Sequence, residues 1–246
     1  MRIEVVPSLA EPVGALWKKL QVQEKGHFFV SSPLSASPLP IYQWVVKYAD
    51  AFTGWDRFRF VLMDEMVDRS KPPFTYIPIT DAASYEGFAQ KHFLYPLQKK
   101  TGITIKVLKP HPQYLETYSK PIDLLILALG VHGNYANVMP GTKENTGWHV
   151  AHLTSEFRET HTDSTSQSYP GVHFREYGMS LGPQQVLSSK NVVVIASGEK
   201  KHHMAKQLLS YDSFDPDFPL SIVCHPKVSE KTTIFITDDV GIDGVH

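Results

Sequence analysis

Short apolar runs alternate with segments of helical period along the chain. The apolar runs occupy residues 3–6, 28–30, 59–63, 103–108, 122–129, 192–196, 221–224 and 233–236. They are rich in β-branched and aromatic residues, which suits strands. Two of them, IDLLILAL at 122–129 and VVVIA at 192–196, are almost continuously apolar. Strands covered on both faces, as in parallel sheets, read this way. Helices are expected between the runs. Residues 9–20 follow Ser8, an N-cap residue, and 38–48 open with a proline where its missing N–H costs little. Residues 84–101 run from Ser84 to just before Gly102, and two later helices are expected at 183–188 and 200–211. Strand, helix and strand repeated imply right-handed crossovers. The expected fold class is therefore α/β: one doubly wound, mainly parallel sheet with helices on both faces, in a single domain over 1–246. Two stretches break the pattern. Residues 158–174 are polar with Pro and Gly and read as a long surface loop or lid, and 238–246 read as a frayed tail.

Doubly wound sheets bind ligands at the carboxyl ends of their strands. Four loops follow such ends, after Val30, Met63, Leu129 and Ala196. The first, SSPLSASPLP, leads into a helix, and its small hydroxyl residues let backbone N–H groups converge on an anion. It also reads as an ordinary Ser/Pro turn. In the second, Asp64 and Glu65 are adjacent carboxylates beside an apolar run; partial burial makes such a group a general base, and full solvation makes it a plain acidic turn. The third, GVHGNYANVMPG at 130–141, has glycines for sharp turns, with His132 and Asn134 on either side of Gly133. His132 is suited to moving protons near neutral pH, or else to bonding its own loop. The fourth, SGEKK, places Lys201 in a first helical turn, against the helix dipole; a bound phosphate or a charge pair with Glu199 would account for it.

Composition narrows the partners. Twenty-four basic and 25 acidic residues leave a net charge of −1 over 246 residues, which is no footprint for nucleic acid. The one cysteine, Cys224, excludes an internal disulfide and reads as a small buried hydrophobe. No apolar stretch reaches the roughly 20 residues of a membrane span. The N-terminus lacks a basic segment followed by an apolar core, so no signal peptide is expected and the cytoplasm is the default location. The histidines show no metal-ligand spacing, and no metal or other cofactor is expected. A homo-oligomer is left open.

Taken in order, the loops resemble the glucosamine-6-phosphate isomerase/deaminase family, with galactosamine-6-phosphate isomerases and, more distantly, 6-phosphogluconolactonases. Ser35-Ala36-Ser37-Pro38-Leu39, followed by Tyr42, stands where the family has a Gly-Gly-Thr/Ser-Pro-Leu phosphate loop. Met63-Asp64-Glu65 matches its Met-Asp-Glu, so Asp64 inherits the role of the base moving a proton between C1 and C2. Tyr177-Gly178-Met179-Ser180-Leu181-Gly182 and Ser197-Gly198 with Lys201 match two further stretches. In the loop 130–141 the resemblance keeps Gly130, Gly133, Ala136, Pro140 and Gly141. It replaces the side chains of the family's Asp/Asn, His, Asn and Glu by His132, Asn134, Val138 and Met139. The resemblance thus implies catalytic Asp64, Glu65, His132 and Asn134. It implies phosphate or substrate contacts at Ser35, Ala36, Ser37, Gly130, Gly133, Thr142 and Lys201. Three functions follow as alternatives: an aminosugar-phosphate isomerase/deaminase, a sugar-phosphate-binding or regulatory protein that has lost the chemistry, or a lactonase-type hydrolase.

Overall fold

The computed structural model describes residues 1–69, 73–111, 120–166 and 172–242. In chain order its strands are β1 (Arg2–Val6), β2 (Phe28–Ser31), β3 (Phe58–Val61), β4 (Asp64–Asp68), β5 (Thr75–Tyr76), β6 (Lys106–Leu108), β7 (Leu124–Ala128), β8 (His149–His152), β9 (Tyr177–Ser180), β10 (Val192–Ala196) and β11 (Thr232–Thr237). The helices are α1 (Ala10–Gln23), α2 (Leu39–Lys47), α3 (Tyr85–Ala89), α4 (Tyr95–Thr101), α5 (Ser155–Ser166), α6 (Pro183–Ser188), α7 (His202–Leu209) and α8 (Pro226–Ser229). Seven strands form a wholly parallel sheet in the order β1-β11-β10-β7-β2-β3-β6. The doubly wound α/β reading holds. β7 and β10, the two continuous apolar runs, lie side by side at its centre. One face packs on Trp17, Tyr42, Phe58 and Phe93, and the other on Leu127, Val194, Leu220 and Ile222.

A second sheet, β5-β4-β9-β8, is antiparallel and was not legible in the sequence. Its strands are only two to five residues long, too short for a clear period. It joins the main sheet directly, because β4 starts three residues after β3 and Leu181 N–H donates to the Met63 carbonyl at 2.8 Å.

Three expectations are corrected. The run 221–224 is not a strand; it lies in a 3₁₀ turn, Pro219–Cys224, buried all round. Proline at the turn's start and burial on every side make an apolar run there indistinguishable from a buried strand. The expected helix 84–101 is broken by a π-helical turn at Gln90–Leu94. Pro96, in the first turn of α4, has no N–H for the carbonyl four residues back, and the wider turn relieves that clash. The expected loop from 158 is helical as far as Ser166, within α5. The Thr154 hydroxyl accepts from Phe157 N–H at 3.2 Å at its start. The helix is polar apart from buried Phe157, hence its loop-like composition. Of the expected lid and tail, 167–171 and 243–246 lie outside the described residues. Residues Asp238–Val240 of that tail form a 3₁₀ turn. Among the described residues no helix is long and apolar enough to cross a membrane.

Candidate functional site

One cavity of about 1090 Å³ opens at the carboxyl ends of β2, β3, β7, β10 and β11. The β2–α2 loop brings Pro33 to Ser37 into its wall. Tyr42 holds that loop from beneath: its hydroxyl bonds to Ser32 Oγ at 2.9 Å and donates to the Pro33 carbonyl at 2.5 Å. Opposite in sequence, Ser197 to Lys201 follow β10. Gly198 turns there at a φ of +88°, and its N–H is fixed by Asp239 Oδ1 at 3.1 Å. Lys201 is partly buried, which lowers its ammonium to about 8. Lys91, Lys200 and Lys201 line the cavity together with the acidic Asp81, Glu199 and Asp239.

Asp64 opens β4 and lines the cavity. It is 6% exposed, and among the described residues no hydrogen-bond donor reaches its Oδ1. Burial, and then the neighbouring Glu65 carboxylate, push its carboxyl well above the ordinary range. Glu65 points the other way along the strand and does not line the cavity. It accepts from Met66 N–H, Ser84 Oγ, Tyr85 N–H and Glu86 N–H at 2.8–3.0 Å. It therefore ties the start of α3 to β4, where a carboxylate also meets the positive end of the helix. The two adjacent carboxylates are thus neither a solvated turn nor a matched pair: one faces the cavity and one is a clamp. The clamp brings Tyr85 into the wall. Burial and the charges of Asp64 and Glu65 raise the Tyr85 phenol, so it stays protonated.

The loop after β7 closes the floor. Gly130 N–H donates to the Asn134 carbonyl at 2.8 Å, and the Asn134 side chain folds back over Gly130. A Cβ on Gly130 would lie 2.0 Å from Asn134 Oδ1, so only glycine fits. Gly130→Ala is expected to cost about 1–3 kcal/mol through overpacking, read as a lowered midpoint in denaturant. Gly133 has a φ of +68° and lies under the Phe218 ring. Ala136, at φ +45°, is the one described non-glycine residue in the left-handed region and lines the cavity. Strain of this kind clusters at working sites.

Of the residues singled out in the sequence, the cavity brings together Ser35, Ala36, Ser37, Asp64, Gly130, Asn134 and Lys201. Glu65, His132, Gly133 and Thr142 are not in its wall. The His132 ring sits 6.5 Å from that of Phe157 on α5. Thr142 Oγ1 donates to the Met139 carbonyl at 2.6 Å and closes a turn. Val138 is fully buried in the main core, and Met139 packs on an apolar cluster with Met66, Ala151 and Phe157. The reading from sequence missed Tyr85, Lys91 and His92, which it had placed on a scaffold helix. Only the tertiary contact through Glu65 carries that helix start into the site.

No family model matches the chain. Among curated proteins it is 29% identical over 164 residues to a glucosamine-6-phosphate deaminase of Lactobacillus acidophilus, covering 63% of this chain and 66% of that protein. It is 31% identical over 122 residues to one of Bacillus pumilus, covering 49% of this chain and 47% of that protein. The chain thus spans just under two thirds of the first and about half of the second. A Bacillus cereus glucosamine-6-phosphate deaminase aligns over 240 residues at 25% identity, 93% of this chain and 85% of that one. Among solved structures, a monomeric glucosamine-6-phosphate deaminase superposes with a TM-score of 0.75 at 18% identity, over 97% of this chain and 98% of that one. A 6-phosphogluconolactonase from Thermotoga maritima gives 0.66 at 18% identity, over 96% and 99%. At that identity the superpositions speak for the fold.

Proposed function

We propose, from the premise that this chain belongs to the superfamily of glucosamine-6-phosphate deaminases and 6-phosphogluconolactonases, that it binds a hexosamine 6-phosphate and acts on it as an aldose–ketose isomerase/deaminase. The observation that carries this reading is Asp64, a buried carboxylate lining the cavity with its proton affinity raised. A base poised toward neutral pH is what proton transfer between C1 and C2 requires. The phosphate end of the ligand belongs at Ser35, Ser37 and Lys201, which bring two hydroxyls and an ammonium to the cavity lining. The ligand then spans from that wall to Asp64. The cytoplasm is the proposed location.

A second reading has its own observation. The amide of Asn134 does not trade protons near neutral pH, and positions 138 and 139 present apolar side chains packed away from the cavity. These favour a sugar-phosphate-binding or regulatory protein with little turnover. A lactonase reading lacks a loop imidazole in the wall at position 134 and ranks third.

The test is ammonia release from glucosamine 6-phosphate and galactosamine 6-phosphate, with calorimetry in parallel. Release supports the first reading, binding without release the second, and absence of any sugar-phosphate binding sinks both. Lys201→Ala is expected to weaken binding about tenfold, the effect of one charge-assisted hydrogen bond. Since Lys201 titrates near 8, affinity of the unsubstituted protein should fall between pH 7 and 9. A flat profile over that range together with unchanged binding by Lys201→Ala would remove Lys201 from the phosphate site.

A further inference from the structure

Two tyrosines line the cavity, Tyr85 and Tyr135. The Tyr135 hydroxyl is enclosed in the main core without a hydrogen-bond partner among the described residues, so nothing in the cavity reaches it. Tyr85 differs. It is half-buried at the start of α3, and among the described residues its hydroxyl is neither enclosed in this way nor hydrogen-bonded. Its place is set from two sides. Its backbone N–H donates to Oε1 of Glu65, the neighbour of Asp64, at 3.0 Å. Its ring lies 6.0 Å from that of Phe174, which also lines the cavity. Burial, and then the charges of Asp64 and Glu65, hold the phenol protonated. Ser84, beside it in the wall, spends its hydroxyl proton on Glu65 Oε2. A phenol in a folded protein normally finds a partner, and one left over in a cavity wall points at the ligand.

The chemistry at Asp64 creates a partner for it. When the carboxylate takes the proton from C2 of an open-chain hexosamine 6-phosphate, the C–H electron pair becomes the C1–C2 double bond. The carbonyl pair of C1 then moves onto O1. Asp64 returns the proton to C1, the amine passes one to O1, and water hydrolyses the resulting C2 imine to the ketose and ammonia. Between the two transfers O1 carries the negative charge. A fixed neutral donor aimed at such an oxygen stabilises it most where water is excluded.

We propose that the Tyr85 hydroxyl is a catalytic donor: it gives a hydrogen bond to O1 and stabilises the charge that gathers there while Asp64 holds the C2 proton. This rests on the isomerase/deaminase reading above. The phenol keeps its own proton throughout and takes no part in the transfer.

Tyr85→Phe removes one hydroxyl and leaves the ring. Three measurements on the full chain test the assignment: kinetics of ammonia release from glucosamine 6-phosphate, melting curves, and calorimetry with 2-amino-2-deoxyglucitol 6-phosphate, which has no carbonyl to enolise. The variant is expected to lose about 10²-fold in kcat, the low end for one such donor. Its binding of the glucitol should weaken by no more than about fivefold, the worth of one neutral hydrogen bond. Its melting temperature should stay within about 2 °C, because the hydroxyl has no partner in the fold. A kcat within about threefold of that of the unsubstituted protein overturns the proposal. So does a loss of kcat matched by an equal loss of glucitol binding, which marks a ground-state contact. A variant that melts well below the unsubstituted protein overturns it too, since the hydroxyl is then paired inside the fold. If the unsubstituted protein releases no ammonia, the deaminase reading fails and this assignment falls with it. Release that Tyr85→Phe leaves intact strikes the assignment alone.

Discussion

Asp64→Asn is expected to lower turnover of a hexosamine 6-phosphate by about 10²–10⁴-fold, the usual worth of a positioned general base. The same change should stabilise the protein at neutral and alkaline pH. Burial raises the Asp64 carboxyl above its value in the unfolded chain. The folded protein therefore holds that proton to higher pH than the unfolded chain does. The contribution to stability is fully present below the unfolded value and is lost as pH rises through the folded one. The amide carries no such proton. The difference in melting temperature between Asp64→Asn and the unsubstituted protein should thus be small near pH 4 and widen toward pH 8 in favour of the variant. Melting curves at the two pH values, with the ammonia assay alongside, check both halves. A variant that melts lower at pH 8 would show that the carboxylate is ionised at no cost, and would remove the case for it as a poised base.

Glu65→Gln should act in the opposite sense. Four donors converge on the Glu65 carboxylate. An amide presents one oxygen and one NH₂, so two of the four, on one side, lose their acceptor. Hydrogen bonds to a charged group are worth about 1.5–3 kcal/mol each, so the loss of two is about 3–6 kcal/mol. For a chain of this length that is about 10 °C in melting temperature. Activity should fall as well, because Ser84 and Tyr85 lose the anchor that sets them in the cavity wall. Chemical denaturation together with melting measures the first effect. A change below about 1 kcal/mol would mean that the start of α3 is held by packing and not by this carboxylate. Burial raises the Glu65 carboxyl despite these four donors, which offsets part of that loss at pH 8.

The main sheet was legible because its central strands are buried on both faces, and VVVIA or LLILA can do little else. Position along the fold then located the cavity, since ligand sites follow the ends of parallel strands. What could not be read was which way a side chain turns once an element is formed. Met63-Asp64-Glu65 looked like a loop with two equal carboxylates. It is the entry to a strand, and strand alternation sends Asp64 and Glu65 to opposite faces. His132 looked like the imidazole of the loop, yet the turn that Gly133 permits sets it toward Phe157. Tyr85 gave no signal, because its place depends on Glu65, twenty residues earlier.

The surroundings of positions 138 and 139 bear on how freely this loop can change. Val138 lies in the main core, and Met139 lies against an apolar cluster that includes Met66, Ile77 and Leu153. An asparagine at the fully buried position 138 would place a polar group among hydrocarbon side chains, at a cost of about 1–3 kcal/mol, while position 139 is only partly buried. Against a stability margin of about 5–15 kcal/mol that is a sizeable step. A histidine introduced at position 134 would therefore stand beside apolar side chains at 138 and 139, with no polar partner from either.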